Sequence, residues 1–138
     1  PAYGFAGQQM GWYVAHLKIR YSKDGGKTWL TTEKETDDVL WCQEFKVTVA
    51  QFTDSTHVIN KGDLLQFKVK VIGGDDTWTD TIFTYVPDAD PMFCWPYLFS
   101  HGSTFNAWIE YWSDDCQRCL DTTNDTCNYW YTWGVDIP

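Results

Sequence analysis

The chain has 138 residues, enough for one domain built on one core, and 43% hydrophobic residues against 21% charged exclude a disordered polymer. A net charge of −9 argues against nucleic acid and anionic membranes as partners, because phosphate binding needs clustered positive charge. No apolar run approaches the ~20 residues of a membrane-spanning helix.

Residues 14–21, VAHLKIRY, alternate: Ala15, Leu17, Ile19 and Tyr21 share one face, and His16, Lys18 and Arg20 the other. Period two over eight residues predicts a half-buried strand. The cluster Asp24-Gly25-Gly26 turns the chain, and Thr28-Trp29-Leu30 opens the return strand of a hairpin. Residues 45–52 alternate again, with Phe45, Val47 and Val49 inward. After the turn Asn60-Lys61-Gly62-Asp63, Leu65, Phe67, Val69 and Val71 oppose Gln66, Lys68 and Lys70. Further strands are expected at 80–86, 92–95, 105–112 and 128–133, with Pro87, Pro91 and Pro96 as punctuation. Short alternating strands between turn signals, with no stretch of helical period, predict an all-β fold: a single antiparallel β-sandwich or jelly roll over residues 1–138.

Charge is unevenly spread. Residues 1–70 hold nine Lys/Arg and eight Asp/Glu, for +1, whereas residues 71–138 hold one Arg and eleven acids, for −10. His16, Lys18, Arg20, Lys68 and Lys70 would form a basic strip if their strands are neighbours. Such a strip either keeps a sheet soluble or docks the acidic half of another copy, giving a homo-oligomer held by complementary surfaces.

Ser22, Asp24, Gly26, Thr28 and Trp29 have the spacing S-x-D-x-G-x-T-W. This stretch resembles the Asp-box hairpin of sialidases and of several carbohydrate-binding β-proteins. The resemblance implies structural work: Asp24 accepts hydrogen bonds from the turn and Trp29 packs the hairpin on its sheet. In sialidases the box lies away from the catalytic centre and recurs in each propeller blade. It occurs once here, in a chain too short for a propeller, which argues against sialidase activity. The longer stretch HLKIRYSKDGGKTW also looks like the strand and turn of glycogen-targeting and starch-binding modules, with Gly25 or Gly26 where those modules often have Trp.

Aromatic residues make up 18% of the chain, including nine Trp, more indole than one small core is expected to bury. In residues 91–112, Phe93, Phe105, Ala107, Ile109 and Tyr111 can point inward. Alternation then puts Trp108, Glu110 and Trp112 together on the outer face, and Trp95, Tyr97 and Phe99 around a proline in a loop. Indoles stacked on pyranose C–H faces, with a carboxylate accepting hydroxyl bonds, make a sugar platform. The ligand-binding candidates are Trp95, Tyr97, Trp108, Glu110 and Trp112. The same region, with the 60–90 segment before it, resembles actinoporin-like and aegerolysin-like cytolysins, small β-sandwiches that hold lipid headgroups with aromatic residues. That resemblance implies membrane-lipid recognition. The amphipathic N-terminal helix of actinoporins has no counterpart in PAYGFAGQQMGWY.

Five cysteines, Cys42, Cys94, Cys116, Cys119 and Cys127, and a chain that begins at Pro1 lead us to expect a processed, secreted protein with up to two disulfides and one odd thiol. The pairing stays open. Asn124 heads a glycosylation sequon, consistent with a secreted glycoprotein. No zinc ligand set is expected, since no His lies near Cys116, Cys119 and Cys127. No cofactor is expected: the acidic loops at 75–76, 88–90 and 114–115 carry carboxylates suited to Ca²⁺ but no EF-hand spacing, and they read as a solvated acidic face. His16, His57 and His101 are isolated in sequence and no catalytic motif occurs, so no enzyme is expected. The expected function is non-catalytic carbohydrate binding; the alternatives are lipid-headgroup binding and extracellular assembly.

Overall fold

A computed structural model describes residues 2–87, 96–113 and 137. Its strands are β1 (Gly4–Gln9), β2 (Ala15–Ser22), β3 (Leu30–Thr31), β4 (Glu44–Thr48), β5 (Leu64–Val71), β6 (Thr77–Trp78), β7 (Phe83–Thr84), β8 (Tyr97–Ser103) and β9 (Asn106–Ser113). They form two sheets packed together as an all-β sandwich. One sheet has the order β4-β1-β8-β9; the other has the order β3-β2-β5-β6, with β7 also pairing β5.

The alternation read from sequence places the core. Leu17, Ile19 and Tyr21 of β2 and Leu65, Phe67 and Val69 of β5 are at most 1% exposed. They meet Phe5, Phe45, Val47 and Leu98 of the facing sheet in one cluster. At its centre Phe67 lies 5.0 Å from Phe5 and stacks on Phe45 at 5.6 Å, while Phe83 meets Phe5 edge-on at 5.3 Å. Each buried phenylalanine contributes about 1.5–3 kcal/mol of apolar transfer. The opposite register of β2 and β5 pairs His16 with Lys70, Lys18 with Lys68 and Arg20 with Gln66, so the basic strip forms on the outer face.

Four expectations need correction. The strand at 45–52 ends at Thr48, because Thr48 and Gln51 form a capping box that winds Val49–Phe52 into a 3-10 turn. Tyr97 and Phe99 lie in a strand, β8, rather than a loop. Phe105 is 72% exposed at the tip between β8 and β9, where two residues join paired Ser103 and Asn106. Finally, the sandwich is mixed: β1 pairs antiparallel with β4 but parallel with β8. The strands expected at 92–95 and 128–133 lie outside the described residues.

Candidate functional site

The site grows from the end of β1. Beyond Gln9 the chain continues beside β8: Met10 donates to the Ser100 carbonyl at 2.8 Å, and Trp12 donates to that of Gly102 at 2.9 Å. Gln9 is fully buried and ties this segment down. Its Nε2 donates to the Tyr13 carbonyl at 2.6 Å, and its Oε1 accepts from the Gly11 amide and from Ser100 Oγ. The Tyr13 hydroxyl donates to the His101 carbonyl at 2.9 Å, and burial pushes its pKa above the ordinary value. Polar side chains buried this deeply persist because each has its partners.

A second loop is tied to the same strand. Cys42 donates its amide to the Gln9 carbonyl at 2.7 Å, its own carbonyl accepts from Gln8 Nε2 at 3.0 Å, and its backbone holds φ 70°. Both loops thus hang from Gln8 and Gln9, and they bring Trp12 and Trp41 together. The two indoles stack at 4.8 Å with 14° between planes, and Trp12 stays 71% exposed.

The β8–β9 hairpin supplies the other aromatic pair. Register sets His101 opposite Trp108, and the rings stack at 5.6 Å with 20° between planes. Gly102 makes this possible: it holds φ 97°, and a Cβ there would lie 2.0 Å from the Asn106 carbonyl oxygen and 2.9 Å from Trp108 Cζ3. Trp108 remains half exposed. An open cleft of about 450 Å³ is lined by Met10, Trp12, His101 and Trp108, with Gly102, Ser103 and Asn106. Glu110 Oε2 approaches His101 Nε2 at 3.2 Å, but that ring nitrogen makes no hydrogen bond. The aromatic row continues along β8 from His101 to Phe99 at 6.0 Å and on to Tyr97 at 5.1 Å.

Of the residues named from sequence, the structure brings Trp108 to the cleft, with Glu110 on the same face beside His101. Tyr97 is 3% exposed, its ring set against Phe99, so it supports the row instead of facing solvent. Trp112 belongs to β9, but its side chain lies outside the described residues, as do Trp95, Asn124 and the cysteines 94, 116, 119 and 127. Cys42 is fully buried. Sequence reading missed Met10, Trp12, Trp41, Ser103 and Asn106, and left His101 as a lone loop histidine. The surplus of tryptophan was the one signal pointing toward them.

The turn over residues 22–28 is bonded through the Asp24 carboxylate. Asp24 Oδ1 accepts from Ser22 Oγ at 2.8 Å and from the Thr28 amide at 2.9 Å, and Oδ2 accepts from Thr28 Oγ1 at 2.6 Å. Gly26, at φ 94°, donates to Ser22 Oγ at 2.8 Å. Hydrogen bonds from the Thr28 hydroxyl and amide, then from Ser22, lower the Asp24 pKa to about 2. Trp29 does not insert into the core. It lies against Arg20, whose guanidinium carbon is 4.9 Å from the Trp29 ring centre and 4.3 Å from that of Trp78.

On this outer face carboxylates meet the basic strip within the same molecule. His16 contacts Glu35 at 2.8 Å and Asp38 at 2.7 Å, Lys70 contacts Glu35 at 3.3 Å, and Lys68 contacts Asp76 at 3.0 Å. Partial burial pushes the Glu35 pKa up, but hydrogen bonds from His16 and Lys70 outweigh it and hold the carboxyl below its ordinary value. Asp76 also accepts from the Val71 amide, so this carboxylate of the acidic loop at 75–76 is engaged. Among the described residues no group of three or more His, Cys, Asp or Glu is placed to hold a metal ion. No helix among them is long and apolar enough to cross a membrane. No protein-family model, curated protein or solved structure matches the chain.

Proposed function

We propose that this protein binds carbohydrate without catalysing its turnover, in the cleft between the Trp12–Trp41 stack and the Trp108–His101 stack. The observation that carries this reading is the exposure of Trp12 and Trp108 on a cleft whose loops are otherwise fixed by buried hydrogen bonds. Leaving large rings in water has a cost that packing did not remove, and rigid rings lose little entropy on binding. Indole faces stack on sugar C–H faces, while Ser103 and Asn106 offer hydroxyl-directed bonds. Secretion belongs to the same proposal. A disulfide at buried Cys42 is part of it, since disulfides persist in oxidising compartments.

Glycan-array binding, followed by titration of tryptophan fluorescence with each sugar that binds, tests the reading. Binding that Trp12→Ala and Trp108→Ala each weaken about tenfold or more, and Trp78→Ala spares, supports it. Folded protein that ignores every glycan overturns it.

One observation favours lipid headgroups as a second reading. Phe105 is 72% exposed at the tip of the hairpin that carries Trp108, and exposed aromatic tips suit a membrane interface. Flotation with glycan-free phosphatidylcholine vesicles separates the two, since a lectin stays with the soluble fraction. Assembly through the basic strip is the weaker third reading, because intramolecular carboxylates already meet much of that strip.

A further inference from the structure

Resting on the carbohydrate reading, we infer that the cleft selects saccharides carrying a free amine over their N-acetylated and sulfated counterparts.

Among the described residues the cleft lining contains no Lys or Arg. Nine of the ten basic residues fall in the first seventy positions; those on β2 and β5 belong to the other sheet, and Lys46 of β4 lies two strands from β8, level with Tyr97 and four residues along from His101. The charges adjoining the cleft are acidic. Glu110 stands on the outer face next to Trp108, its carboxylate 58% exposed and against His101, a lining residue. On another side, the Asp75 amide donates to the Thr104 carbonyl at 3.0 Å, which places exposed Asp75 at the turn between Ser103 and Asn106.

The aromatic walls add to this field. The face of an indole is the negative region of its quadrupole, so Trp12 and Trp108 attract an ammonium directly. An amine on a pyranose ring therefore gains from the carboxylates and the indoles while its C–H face stacks. Acetylation of that amine removes the charge and keeps the stacking. A sulfate meets the Glu110 carboxylate and, among the described residues, finds no Lys or Arg in the lining, and like charges brought together weaken binding.

Glucosamine tetramer, N-acetylglucosamine tetramer and a sulfated glucosamine tetramer are the probes, each titrated into the full chain by tryptophan fluorescence at low salt. The amine-bearing tetramer is expected to bind about 3- to 10-fold more tightly than the acetylated one, the range of an exposed cation–π contact plus screened carboxylates. The sulfated tetramer should bind weakest. The gap between amine and acetyl forms should shrink in 0.5 M salt and in Glu110→Gln and Asp75→Asn, both substitutions of exposed side chains that the fold tolerates. Equal affinities, tighter binding of the acetylated or sulfated form, or no binding of the amine-bearing form overturns the inference. Array binding to neutral glycans alongside any of those results leaves the carbohydrate reading standing, whereas silence across the array removes both.

Discussion

Replacing Gly11 by alanine tests whether the Trp12 loop is held as described. A Cβ at Gly11 would lie 2.1 Å from Tyr13 Cε2, 2.3 Å from Cζ and 2.6 Å from the hydroxyl oxygen. Carbon atoms rest about 3.5 Å apart, so the ring has to leave its place. Tyr13 is 8% exposed and its hydroxyl is bound to the His101 carbonyl. Overpacking of this kind costs about 1–3 kcal/mol, and the lost hydrogen bond adds about 1 kcal/mol. Gly11→Ala should therefore destabilise by roughly 2–4 kcal/mol, a Tm drop of roughly 8–16 °C for a domain of this size. Thermal denaturation, with urea unfolding to fix the free energy, measures this in four proteins: wild type, Gly11→Ala, Tyr13→Ala and the double variant. Tyr13→Ala removes the ring that the methyl strikes, so in that background Gly11→Ala should cost less than about 0.5 kcal/mol. An equal cost in both backgrounds refutes the proposed clash and, with it, the view that Tyr13 props the loop.

Trp12→Ala and Trp108→Ala are each expected to weaken sugar binding about tenfold or more with little change in Tm, since both rings are exposed; fluorescence titration and calorimetry check this. Asp24 should titrate near 2, against an ordinary 3.8, by carboxyl NMR. Its folded-state pKa is depressed, so its contribution to the hairpin is present above pH 3.8 and lost as pH falls toward 2; a midpoint near 3.8 contradicts the bonding described. Tyr13 has the opposite sign. Its pKa is raised, so its contribution is whole below pH 10 and lost as pH rises beyond it, and Tyr13→Phe should remove the highest-pH part of that loss in alkaline unfolding curves compared with wild type. Arg20→Lys should cost about 0.5–1.5 kcal/mol by chemical denaturation, because a lysine ammonium cannot contact the Trp29 and Trp78 rings while bonding Gln66 through two nitrogens.

Strands with a strict period of two were legible from sequence: β2 and β5 fall within a residue of their expected bounds, and Leu17, Ile19, Phe67 and Val69 face inward as their spacing requires. β1 was not legible. GFAGQQ has two glycines and two glutamines and no alternation, yet all six residues are buried. A central strand has neighbours on both edges, and pairing, more than side-chain pattern, makes it a strand. Gln8 and Gln9 are polar for the same reason that sequence reading passed over them: their amides hold the loops that follow. Trp108 could be found because alternation set it outward. Trp12 and Trp41 could not, since their meeting depends on hydrogen bonds from two loops to one strand, between residues about thirty positions apart.

The parallel pairing of β1 with β8 sets the order of events when the chain is made. β1 precedes the other described strands, and β4 can close on one of its edges after about forty residues. Its other edge stays open until residues 97–100 exist. A hydrogen-bonding edge left open through so much of synthesis is where association with another chain competes with folding. Because Trp12 is held beside that edge, the finished cleft also reports that β8 has closed on β1.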